Sequence, residues 1–148
     1  MKKTEFVYRE LLYNAIEKKS MVLTQAELSR KLKLSLSTVN GAIKNLEKLG
    51  AVEIRLRSFH VLDLKKILYY WASMRNLQKD IIYATRVEQP ITQIEKLMPN
   101  DIVFGAYSSY KLLFNDVPAD YSEIYVYGGE NIQERFPKQG GVPNLFVL

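Results

Sequence analysis

Apolar residues recur at helical spacing through the first half of the chain, interrupted by short polar turns. Val7, Tyr8, Leu11, Leu12, Ala15 and Ile16 form one stripe within residues 4–18, with Arg9, Glu10, Glu17 and Lys18 expected towards water. That pattern predicts an amphipathic helix, with Thr4 as its N-cap. Thr24 and Glu27 stand three residues apart, the spacing at which each can cap the other's backbone. They predict a second, short helix with Gln25 or Ala26, Leu28 and Leu32 inward. Ser35 or Ser37 caps a third helix, in which Val39, Ala42, Ile43, Leu46 and Leu49 repeat up to Gly50. Its outer face holds Thr38, Asn40, Gly41, Lys44, Asn45 and Lys48. From Ala51 to Arg57 apolar and polar residues alternate as in a half-buried strand. Residues 57–60 can turn, and Phe59 to Leu62 can return as its partner.

The second half changes rhythm. Asp63 caps a helix carrying Ile67, Tyr70, Trp71, Met74 and Leu77 on one side, with Leu64, Leu68 and Ala72 filling much of the rest. A helix apolar on more than one side needs more than one neighbour. Residues 64–80 are therefore expected to bridge two domains or meet a second subunit, the aromatic cluster serving as core. Ile81–Ala84 reads as a buried strand, and Pro90 opens a helix with Ile91, Ile94, Leu97 and Met98 inward. Residues 101–104 are strand-like, Gly105 begins a helix with Tyr107, Tyr110 and Leu113, and Pro118 marks a loop. Residues 124–127 and 144–148 supply further strands. The expected fold class is α+β: residues 1–63, a bridging helix over 64–80, and a small α/β domain over 81–148.

Helix, short helix, tight turn, longer helix and two-stranded ribbon is the order of a winged helix-turn-helix. Leu34–Val52 resembles the recognition helix and following strand of prokaryotic winged-helix regulators, and Thr24–Ser29 resembles the helix that braces it. The resemblance implies binding of double-stranded DNA. The major groove admits one α-helix, whose exposed N-terminal turns need short polar side chains and whose later turns need cations. Ser37, Thr38, Asn40 and Gly41 meet the first need. Lys44, Asn45 and Lys48 follow on the same face, and Arg30, Lys31 and Lys33 are further candidates for binding phosphates. Arg55, Arg57 and His60 lie on or beside the ribbon, within reach of the backbone or a minor groove. His60 is better placed as a wing residue than as a sensor or ligand.

Charge sharpens the division. Residues 1–80 hold sixteen lysines and arginines against eight acids, whereas residues 81–148 hold five against eight. A basic half and a mildly acidic half suit a nucleic-acid-binding module joined to a second domain. There is no cysteine and one histidine, which excludes thiol catalysis, zinc–thiolate sites and multi-histidine metal sites; no cofactor is expected. No run reaches the roughly 20 apolar residues of a membrane span, and the first residues lack a signal-peptide pattern, so a cytoplasmic location is expected.

Val103–Tyr110, Tyr121–Tyr127 and Pro143–Leu148 resemble parts of a minimal nucleotidyltransferase-like domain. Joined to a winged helix, the whole is similar to AbiEi-type antitoxins. Nucleotidyl transfer needs two carboxylates two residues apart on one strand face to hold magnesium. Here Gly105 is followed by Ala106, Glu123 is followed at that spacing by Tyr125, and Asp120 by Ser122. A lone carboxylate cannot build the two-metal clamp. The expectation is a DNA-binding, repressor-like regulator with no catalytic residues, forming a homodimer and offering its C-terminal domain to a protein partner. The rival is an antitoxin-type module that regulates its own operon; an active nucleotidyltransferase comes last.

Overall fold

The computed structural model describes residues 2–117, 119, 121–129 and 131–148. The readings placed on Pro118 and Asp120 fall outside these. The chain divides into two compact units, the first ending at Arg75 and the second spanning Asn76–Leu148.

In the first unit, α1 (Lys3–Ile16) buries Val7, Tyr8, Leu11, Leu12 and Ala15. Its cap is not Thr4. Lys2 takes that position, because Glu5 reaches back from the first turn and accepts the Lys2 backbone N–H at 2.9 Å. Ile16, expected on the stripe, is exposed, since it ends the helix beyond the last covering neighbour. Residues Val22–Leu23 form β1, a strand too short for alternation to reveal.

Helix α2 (Gln25–Leu32) starts at the expected reciprocal cap. Thr24 Oγ1 accepts the Glu27 N–H, and the Glu27 carboxylate accepts the Thr24 N–H, both at 3.1 Å. Lys33 closes the helix in the left-handed conformation, and Ser29 Oγ donates to the Leu34 carbonyl at 2.6 Å, tightening the turn into α3. Helix α3 (Leu36–Lys48) is capped by Ser35, whose hydroxyl accepts the Thr38 N–H at 3.2 Å. Val39, Ala42, Ile43 and Leu46 are fully buried, each of the larger three contributing about 1.5–3 kcal/mol. Leu49 is left partly open to solvent, because the helix ends there and the chain reverses at Gly50, whose φ is +64°.

Strands β2 (Val52–Ile54) and β3 (Phe59–Val61) are shorter than the alternation suggested and pair antiparallel, Val52 opposite Val61 and Ile54 opposite Phe59. The order β1–β3–β2 makes a three-stranded sheet. Helix α4 (Leu64–Met74) starts at Asp63, whose side chain accepts the Lys66 N–H at 3.0 Å. It stops well short of residue 80. Ile67 is fully buried, and Leu64, Tyr70, Trp71 and Met74 pack on the core of this unit, so its inner side is used here. Tyr70 meets buried Tyr8 edge-on at 5.6 Å, and burial pushes the Tyr8 hydroxyl up to about 12. Leu68 and Tyr69 face outward.

The second unit is a four-stranded mixed sheet. Its strands β4 (Tyr83–Thr85), β5 (Ile102–Phe104), β6 (Ile124–Gly128) and β7 (Leu145–Val147) lie in the order β4–β7–β6–β5. The central pair is parallel and both outer pairs are antiparallel. Alternation places Ile124, Val126, Leu145 and Val147 in the core, while Tyr125 and Phe146 stack at 4.8 Å on the other face. Helices α5 (Ile91–Leu97) and α7 (Ile132–Arg135) add Ile94 and Ile132; α7 was not expected. Pro90 is the cap of α5 rather than its first residue, and Leu97 is exposed because only Ile94 and Met98 turn fully inward. Helix α6 (Ala106–Phe114) leaves Leu112, Leu113 and Phe114 exposed. Buried Asn144 accepts the Val87 N–H at 2.8 Å and donates to its carbonyl at 2.9 Å, tying β7 to the segment after β4.

Candidate nucleic-acid interface

The outer face of α3 is open. Ser37, Gly41, Lys44, Asn45 and Lys48 are exposed, while Thr38 and Asn40 are half-buried. Thr38 is partly committed, since its hydroxyl shares a hydrogen bond of 2.8 Å with Ser35. At Gly41 a Cβ would meet nothing within 4 Å, so no packing within the chain requires glycine there. Glycine weakens a helix interior, and the packing of this unit gives no return for it at this position.

The start of α3, the start of α2 and the β2–β3 hairpin enclose one groove of about 390 Å³. Thr24, Gln25 and Ala26 form one wall, Leu36 another, and Arg55, Leu56 and Arg57 the third. Sequence spacing did not single out its two leucines. Leu36, three residues before Val39, continues the buried stripe on paper yet is 56% exposed; Leu56, between two arginines, is 97% exposed. The signal for Leu56 was present: an apolar residue at a hairpin tip has no core to enter.

The cations differ in freedom. Arg55 is held by Glu53 at 2.7 Å, with His60 Nδ1 at 3.4 Å, whereas Arg57 makes no ion pair among the described residues. His60 sits half-buried on β3. Lys31 is drawn aside by buried Glu10, whose hydrogen bond raises its pKa. Arg30 and Lys48 occupy the last turns of α2 and α3, where a cation also favours the helix dipole, and they do not line the groove. Of the residues predicted to touch DNA, Arg55 and Arg57 line this groove with Leu36 at the start of α3, whereas Ser37, Thr38, Asn40, Gly41, Lys44, Asn45 and His60, like Arg30 and Lys48, do not.

In the second unit, exposed Glu123 accepts the Tyr125 hydroxyl at 2.8 Å. Burial, reinforced by that carboxylate, pushes the Tyr125 hydroxyl up to about 12. The position two residues from Glu123 thus holds a donor to it rather than a second metal ligand.

Residues 9–53 match the family model described as winged helix-turn-helix DNA-binding. The match runs from α1 to β2 and includes the whole of α2 and α3. The first unit accordingly carries a winged helix-turn-helix, a DNA-binding domain, within a mixed α and β chain. No curated protein and no solved structure matches the chain. Among the described residues no helix is long and apolar enough to cross a membrane.

Proposed function

We propose that the chain is a sequence-specific, repressor-like regulator that sets α3 into the major groove of double-stranded DNA and lays the Arg55–His60 hairpin on the backbone or minor groove. The observation that carries this reading is a winged-helix unit whose α3 leaves Gly41 and Lys44 exposed and whose hairpin arginines line one groove with the start of α3. Asn40 has the donor and acceptor needed to pair with an adenine edge, and Lys44 and Arg57 neutralise phosphates. The mechanism is occupancy of an operator in the cytoplasm. A homodimer presents two such helices to successive major grooves about 34 Å apart.

The second unit serves interaction rather than catalysis in this reading, because Glu123 is paired with Tyr125 instead of a second carboxylate. An antitoxin-type role, with the second unit opposing a partner enzyme, is favoured by one feature: Leu113 and Phe114 on α6 are 73% and 64% exposed. Fluorescence anisotropy against duplexes selected from a random pool tests the main reading. Binding that weakens steeply with salt and depends on α3 supports it; affinity indifferent to salt overturns it.

A further inference from the structure

The second unit's sheet domain, residues 81–148, holds five cations, and three of them line one cavity of about 440 Å³. Arg86 directly follows β4, Lys96 comes from α5 and Arg135 from α7. Among the described residues no carboxylate lines it, although residues 81–148 carry more acids than bases. Three like charges drawn to one concavity repel each other, and an anion between them removes that cost.

The wall is built rather than incidental. Tyr83 donates its hydroxyl to the Phe136 carbonyl at 2.7 Å, buried Thr85 donates to the Pro137 carbonyl at 3.1 Å, and Thr85 also accepts the Gln139 N–H at 2.9 Å. These bonds fix the strip that follows α7 against β4. Arg135 donates to the Leu97 carbonyl at 2.7 Å, which anchors one nitrogen of its guanidinium and leaves other donors available. Arg86 is bonded to Glu88 at 3.2 Å, but Glu88 is mostly exposed, and a solvated pair of that kind yields readily to a stronger anion. Leu97 and Phe136 supply apolar surface beside the charges.

We propose that this cavity binds a small phosphate monoester, its dianion held by Arg86, Lys96 and Arg135 and its organic group lying on Leu97 and Phe136. Guanidinium forks match phosphate oxygens bidentately, and the volume suits a metabolite-sized ligand. A duplex is the wrong shape for a concave pocket, and the acids of this unit oppose a long polyanion while a small dianion meets only the cavity. The inference is independent of DNA binding by the first unit.

Calorimetric titration of the full chain with phenyl phosphate tests it, beside inorganic phosphate, benzyl alcohol and a duplex. The expected result is saturable 1:1 binding of phenyl phosphate, weaker binding of inorganic phosphate and none of benzyl alcohol. Arg86→Gln with Lys96→Gln lowers phenyl phosphate affinity about tenfold or more, with the melting temperature unchanged. In the wild type, amide resonance shifts on phenyl phosphate addition centre on residues 86, 96 and 135, a readout that needs no variant to fold. Absence of saturable binding, shifts centred elsewhere, or displacement of phenyl phosphate by the duplex from this cavity overturns the proposal.

Discussion

Trp71 donates its indole N–H to the Glu5 carboxylate at 3.1 Å, joining α4 to the first turn of α1 across most of the first unit's sequence. Glu5 is only 3% exposed, and its other oxygen accepts the Lys2 N–H, so the carboxylate depends on protein donors for its solvation. Trp71→Phe keeps most of the apolar surface and removes one donor. The expected loss is about 1–3 kcal/mol, the cost of leaving a buried acceptor short of a partner. Urea unfolding of the full chain measures it. An unchanged midpoint would show that this bond does not hold α4 in place.

That bond also marks where sequence reading stops. The Thr24–Glu27 cap and the Val39–Leu46 stripe were legible because each is decided within a few residues. The pairing of Val22 with His60, and of Leu23 with Phe59, depends on chain reversal far downstream and leaves no local pattern. Burial on α4 was legible as a stripe, but not which body would cover it. The outer face of α3 was readable as polar; the groove that brings Leu36 together with Leu56 and Arg57 was not, since it follows from the hairpin's fold. On α6 the same limit works in reverse, because helical spacing cannot tell that Leu113 lacks a covering neighbour.

Acid should weaken the second unit through Glu95. Burial alone would raise its carboxyl, but the Lys111 ammonium at 2.6 Å and the Tyr121 hydroxyl together outweigh burial and hold it below its ordinary 4.5. A folded pKa below the unfolded one gives stability that is complete above 4.5 and lost as pH falls through the lower folded value. Lys111 has the opposite sign. Its hydrogen bond to Glu95 raises it above 10.5, so its contribution is complete below that value and lost as pH rises through the folded pKa. Urea midpoints across pH test both limbs, and Glu95→Gln should flatten the acid one. A variant with the wild-type acid profile would assign that limb to other groups.

Among the hairpin arginines, Arg57 should matter somewhat more than Arg55, because Arg55 must first give up its solvated pair with Glu53, a small cost that Arg57 does not bear. Anisotropy titrations at several salt concentrations separate them. Lys44→Ala with Arg57→Ala should reduce the slope of log affinity against log salt by about 0.9 for each phosphate no longer neutralised, about 1.8 in total. Arg55→Ala alone should change it less than Arg57→Ala alone. An unaltered slope in the double variant would remove both side chains from the DNA surface.

Gly41→Ala divides folding from recognition. The position is interior to α3 and exposed, and an added methyl group meets nothing within 4 Å. Alanine there should stabilise the free protein by about 0.8–1.0 kcal/mol, the difference in helix propensity between the two residues. On DNA the same methyl occupies the space between the helix backbone and the base edges, so affinity should fall although the fold is firmer. Thermal unfolding and anisotropy on one preparation read the two effects together. A rise in melting temperature with weaker binding places Gly41 at the groove floor. A rise in both would mean that α3 keeps its distance there and that the glycine serves neither the fold nor DNA recognition.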